Sequence, residues 1–348
     1  MTQLDFSLGL AQEGVYGTAV TPTRFPESDA QIKYEISTVD GRGLRPSKGV
    51  KRLARNTVSK FEGKGSISLD VGTRGFGMLL NAVMGGITNT AIPSSSPVLY
   101  QQVHTLSQSD AVTKSFTVQE LLPTVGADDV WPHTFTGVVF ESMEISAKEG
   151  GILEAVFEVV ARALSTIEPG ATPSYPTGDS VFTFLHGQVK ISTNPMTSAP
   201  TATSLGLVPA ALNSNVKEIT VRVKRNLDGG GWNMGGAGLR SRRPVNGRPE
   251  ISGSFTVEYS NNTLRDAYLA QTSLALHLTF THSDVISTGG SGQNALLQII
   301  IPSLRLKGEV PGSNGGEPIT QSIDWEAFDN DVAAQPIYIV YRTLDTTL

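Results

Sequence analysis

The segment Asp40–Val71 recurs in order 188 residues further along the chain, as Asp228–Tyr259. At that offset Arg52 falls on Arg240, Arg55 on Arg243 and Glu62 on Glu250. The run Gly65-Ser66-Ile67-Ser68-Leu69-Asp70-Val71 falls on Gly253-Ser254-Phe255-Thr256-Val257-Glu258-Tyr259, and every change keeps the apolar/polar phase of a half-buried strand. Two copies of one unit suit a ring-builder or a binding scaffold better than an enzyme with a single asymmetric site.

A chain of 348 residues with 39% hydrophobic content is long enough for two cores. Only 17% of residues are charged, while 36 Gly and 19 Pro supply many turns, a balance that favours strands over charge-rich helices. The formal charge of −5 argues against a general nucleic-acid binder, which needs a basic surface. It leaves room for a protein that lets a polyanion pass without sticking. With no Cys there are no disulfides, thiolate metal sites or cysteine nucleophiles. The opening MTQLDFSLGLAQEG has neither the basic nor the apolar region of a secretion signal, and no apolar run has membrane-spanning length.

Alternation begins at Ile32, Tyr34 and Ile36 after an irregular opening, fades into a basic loop over 41–59, and resumes from Phe61 to Val71. The spacing of Phe76, Leu79, Leu80 and Val83 predicts a short helix over Thr73–Met84, closed by Gly85-Gly86. A hairpin is expected around Glu149-Gly150-Gly151. The second half repeats the order: a strand at Ile219, Val221 and Val223, a Gly-rich basic loop over 228–248, a strand over 251–259, and a helix over Asn262–Gln271. A last hairpin follows around Pro311-Gly312-Ser313-Asn314-Gly315-Gly316, with Ser303-Leu304-Arg305-Leu306 echoing Ser142-Met143-Glu144-Ile145. The match of Ile32 to Ile219 is at 187, one residue short of the main offset.

The fold expected is mainly β: two tandem antiparallel β-sandwich domains, each with one short flanking α-helix and a long loop. Residues 1–30 form an N-terminal arm, 31–168 a first domain, 169–180 a Pro-rich linker and 181–348 a second domain. The outward strand faces carry Glu62, Asp70, Glu141, Glu154, Glu158, Glu250, Glu258, Asp324 and Glu326 among many Ser and Thr. Such a face could line an aqueous channel once copies join edge to edge, and an ordinary solvated face has the same pattern.

Catalytic chemistry finds little support. The five His form no HExxH pair, no GxSxG is present, and the Gly run at 229–231 lacks the Lys-Ser/Thr of a phosphate loop. Paired carboxylates such as Glu154 and Glu158 share one face with nothing to drive their pKa values apart. No enzyme activity, metal or cofactor is expected.

The opening GVYGTAVTPTRF, the strand IKYEIS, the basic loop from Gly41-Arg42-Gly43, the strand GKGSISLDV, the short helix and the final hairpin resemble, in order, the tail tube protein of long-tailed, siphovirus-type bacteriophages. The likeness covers essentially the whole chain in element order, though no one motif is diagnostic. It implies a structural virion protein of the tail, assembled in the host cytoplasm into stacked rings around a channel for genomic DNA. Its implied partners are further copies of itself and the tape-measure, tail-terminator and tail-tip proteins, with DNA passing unbound. A duplicated unit implies homotrimeric, pseudo-hexameric rings. The acidic faces then suit the bore, and the basic loops, with Arg42, Arg45, Lys48, Arg52, Arg55, Arg240, Arg242, Arg243 and Arg248, suit contacts between rings. A tail-tip or baseplate hub of the same fold is the alternative, and a duplicated carbohydrate-binding sandwich a weaker one.

Overall fold

The computed structural model describes residues 3–107, 114–125, 129–208, 212–213, 215–289, 294–308, 310–312, 315 and 319–348. The first half holds β1 (Ser7–Gln12), β2 (Ser28–Asp40), β3 (Asn56–Asp70), α1 (Gly77–Met84), β4 (Gly85–Ala91), β5 (Tyr100–Leu106), β6 (Phe116–Pro123), β7 (Val130–Lys148), β8 (Glu154–Ala161) and β9 (Ala163–Ser165). The second holds β10 (Gly187–Ser192), β11 (Leu212–Asn213), β12 (Val216–Lys224), β13 (Glu250–Glu258), α2 (Thr263–Leu269), β14 (Leu274–Val285), β15 (Asn294–Lys307), β16 (Thr320–Ala327) and β17 (Tyr338–Thr343).

Mainly antiparallel β-structure is what the alternation predicts, and the pairing shows how it is organised. In the first half β2, β3, β8 and β7 lie side by side; in the second β12, β13, β16 and β15 do the same. The C-terminal part of β7 pairs with β12, from Ser142 opposite Lys224 to Lys148 opposite Glu218. Eight strands therefore form one continuous sheet. A second layer repeats likewise: β1, β6, β7 and β9 in one half, β10, β14, β15 and β17 in the other. The long strands β7 and β15 serve both layers. The β4–β5 hairpin of the first half crosses over and pairs with β17 of the second.

One buried apolar cluster runs through both halves, from Leu8 and Phe157 to Phe255 and Tyr341. The period-two pattern builds it: Ala155, Phe157, Val159 and Ala161 of β8 point inward, while Glu154 and Glu158 do not. Phe76, Leu79, Leu80 and Val83 are all buried against it, as the helical spacing of that segment predicts. Helix α2 spans Thr263–Leu269 and seals its end of the sandwich with Ala267.

Several expectations shift. The loop expected over 41–59 narrows to 41–55, because β2 and β3 run on as a ribbon beyond the core. The opening arm contains β1, whose Leu8 and Leu10 are buried and which pairs with β6. The final turn falls partly outside the described residues, at Ser313, Asn314 and Gly316. Register also differs from the sequence match. Ile32 lies opposite Gly65 and Val221 opposite Gly253, so the counterpart of Ile32 is Val221 and not Ile219. Ser142 lies opposite Glu158 and Lys307 opposite Asp324, so the counterpart of Ser142 is Lys307 and not Ser303. A slip of an even number of residues preserves the apolar phase, and alternation alone cannot detect it.

Candidate functional site

Of the nine acidic residues singled out in the sequence, eight fall on one face of the eight-stranded sheet, the face turned away from the core, while Glu141 lies at the register shift of β7 between Phe140 and Ser142. Cross-strand rows run over it. Asp70 lies opposite Glu154, which lies opposite Ser146; that residue faces Thr220, then Ser254, then Asp324. A neighbouring row passes from Glu144 through Arg222 and Ser252 to Glu326 and Arg305.

The face is acidic but not purely so. Arg222 bridges to Glu158 at 3.3 Å, and Ser142 donates to the same carboxylate at 2.6 Å. Lys217 meets Glu258 at 3.1 Å, Lys64 meets Glu62 at 3.2 Å, and Lys307 pairs with Glu326. Reading each strand alone missed Arg222, Lys224, Arg305 and Lys307 as members of this face. Their alternation phase, matched to the acidic positions of neighbouring strands, was the available signal. These pairs leave a surface with alternating charge, many hydroxyls and an acidic excess.

Two of the predicted residues, Glu62 and Arg240, are buried. The loop between β12 and β13 folds back onto the first half, where Arg240, with its side chain 3% exposed, forms an ion pair with Glu62. The same guanidinium lies 3.9 Å from the centre of the Trp232 ring, over which Lys60 also sits. Trp232 Nε1 donates to the Phe61 carbonyl at 3.3 Å, and the Phe61 amide donates to the Gly238 carbonyl at 2.8 Å. Arg242 is held by Asp228 at 2.6 Å, Arg243 is half-buried, and Arg248 is exposed.

The corresponding loop of the first half stands clear. Arg42, Arg45, Lys48 and Arg55 are exposed and Arg52 is half-exposed. Leu44, Val50 and Leu53 between them are 105%, 84% and 89% exposed, so this loop presents apolar side chains with no cover. Lys51 and Asn56 hold Asp40 at its base.

Burial pushes His104 down to about 3 and His277 down to about 4, so both stay neutral in the core. A cleft of about 400 Å³ lies between the arm, the turn after β3 and residues 174–181. Its charged groups hold the chain to itself: Asp179 accepts from Thr73 and Arg74, and Arg74 bridges to Asp345 at 3.1 Å. No group of described His, Asp and Glu residues is placed to hold a metal ion. No described helix is long and apolar enough to cross a membrane.

The arrangement is therefore one of surfaces: a polar sheet face, a docked basic loop and a free one. Comparison with known proteins agrees with that character. The family model described as phage tail tube protein matches residues 5–327, almost the whole chain. No curated protein matches.

Proposed function

The chain belongs to the phage tail tube protein family, a structural family of the virion tail, and from that premise we propose that three copies close into a pseudo-hexameric ring. Rings stack into a hollow tube that delivers genomic DNA. The observation that carries this reading is the eight-stranded sheet, with one face in the core and the other polar. Its two halves repeat the same pairing order, which supports a duplicated unit, with residues 31–168 and 181–348 as the two copies. At the ends of that sheet, β2 has no described strand beyond it, nor has the Arg305–Lys307 end of β15. Open edges of this kind invite pairing with another chain.

Three copies of eight strands make a barrel of twenty-four. At about 4.8 Å between strands and a tilt of 35–45°, its backbone diameter is about 45–52 Å. The polar face would line it. A duplex carries one negative charge per roughly 1.7 Å, and a basic bore would hold it fast. A hydroxyl-rich bore with an acidic excess (Asp70, Glu154, Glu158, Glu250, Glu258, Asp324 and Glu326) repels it weakly and lets it slide. Arg42, Arg45, Lys48, Arg55 and Arg248 are the exposed cations suited to contacts between rings. The tape-measure, terminator and tip proteins of a siphovirus-type tail would meet the tube at its lumen and ends, with assembly in the host cytoplasm.

Electron microscopy of the purified protein tests the reading. Long tubes of threefold rings are expected. Single rings that never stack would favour the hub of the same fold, and an absence of closed rings would reject both.

A further inference from the structure

The joint between the two halves of the chain is a template for the joint between neighbouring copies. Within the chain, β12 of the second half pairs with β7 of the first, and the loop after β12 sends Arg240 back onto Glu62. In a ring of such chains, the first half of one copy follows the second half of another, so the same joint has to be made between molecules. The repeat names its members. Arg52 is the counterpart of Arg240 and Glu250 the counterpart of Glu62. Their hairpins match in structure as well. The Asp228 amide donates to the Val245 carbonyl at 2.9 Å, and Val39 lies opposite Thr57, so Val245 corresponds to Thr57 at the same offset as Arg240 to Arg52.

We propose that Arg52 of each copy docks on Glu250 of the neighbouring copy, beside a strand joint that sets Tyr34 and Glu35 of β2 against Gly308 and Lys307 of the neighbour's β15. This rests on the ring reading above. It assigns Arg52 to closure of the ring and not to stacking.

Three observations carry it besides the repeat. First, neither edge has a further strand paired to it among the described residues, and the β2 amides point the right way. Ile32 turns its N–H away from β3, where Glu120 accepts it at 3.1 Å. Its counterpart Val221 lies on the set of β12 amides that face β7, to which Arg225 also belongs, donating to the Glu141 carbonyl at 2.9 Å. Second, the charges are complementary. Lys224 lies opposite Ser142 inside the chain, and the counterparts of that pair across the ring joint are Glu35 and Lys307. Third, the free loop carries exposed Leu44 near the position of Trp232, which inside the chain packs on Lys60 and Arg240. Docked in the same way, Leu44 would lose its exposure against Arg248 and Arg52. One detail does not repeat: the counterpart of Phe61 is Pro249, which has no N–H, so the Phe61–Gly238 backbone bond is absent from the joint between copies.

Charge exchange at the proposed pair gives the test, read as ring formation by native mass spectrometry and light scattering below the concentration at which rings stack. R52E and E250R should each raise the concentration for half-assembly at least about thirtyfold, as loss of one partner of a buried charge pair does. The double variant R52E/E250R should return to within about fivefold of the native protein. Circular dichroism of the monomers separates assembly defects from misfolding. In a second measurement, the Cys-free chain is given Glu35→Cys and Lys307→Cys. That pair sits opposite without backbone hydrogen bonds, where side chains lie closest. Oxidation should yield covalent trimers from the double variant, and no more than dimers from either single one. Native rings with both single charge variants unimpaired, or with no rescue and no trimer, would overturn the joint while leaving the ring intact. A native protein that forms no ring would remove both.

Discussion

Glu62 and Glu120, on strands of the same half, are treated in opposite ways. Burial raises the pKa of the Glu62 carboxyl, but the hydrogen bonds and charges of Arg240 and Lys64 outweigh it and hold the group below its usual range. Burial dominates at Glu120, pushing it up to about 7 against the single Ile32 amide that favours the anion, with Asp29 adding to the rise. The sign follows. Between its ordinary 4.5 and about 7 the folded chain keeps Glu120 protonated while the unfolded chain does not, so its contribution is present below that window and is lost as pH rises through it. The cost above the window is up to about 3 kcal/mol. Glu120→Gln keeps an acceptor for Ile32 and removes the charge. It should raise the urea midpoint at pH 8 and leave it nearly unchanged at pH 4, below the window. Equal shifts at both pH values would show that the carboxylate is not held neutral. Neither behaviour was legible in the sequence, where Glu62 reads as one more outward acid and Glu120 sits in a strand with no clear phase.

At the scale of elements, local pattern carried far. The helix at Phe76–Val83, the hairpin at Glu149–Gly151 and the strands around Ile67 and Phe255 follow from spacing that each segment holds within itself. Register does not, because a slip of two leaves every side chain on its own face. What fixes it is contact across strands. A Cβ on Gly253 would meet the Thr220 carbonyl at 2.0 Å and the Trp325 ring at 2.4 Å; one on Gly65 would meet the Gln31 carbonyl at 2.1 Å. These matched glycines let the neighbouring strand approach, and each admits it at one register. Gly253→Ala should therefore cost roughly 1–3 kcal/mol, as overpacking of a tight core does, against little change for Ser252→Ala on the polar face. Chemical denaturation of the two variants checks this, and equal stability would mean that the close approach does not set the register.

At the scale of the whole molecule, the repeat invites a picture of two separable domains, yet β7 pairs with β12, β5 pairs with β17, and one apolar cluster crosses between the halves. Thermal unfolding of the monomer should then be a single cooperative transition whose calorimetric and van't Hoff enthalpies agree. Two resolved transitions would mean that the halves hold together independently. The sequence by itself determined the β class, the internal repeat of Asp40–Val71, the two short helices, the acidic phase of the strands and the basic loops, because each depends on periodicity or on composition within a short stretch. Only the tertiary structure decided that the two sheets are one, that Lys and Arg from β12 and β15 share the acidic face, and that Arg240 is buried on Glu62 while Arg52 remains unburied. Those facts depend on which strand edges meet and where a long loop comes to rest. Such contacts join residues distant in the chain, Glu62 and Arg240 by 178 positions, beyond the reach of any local pattern.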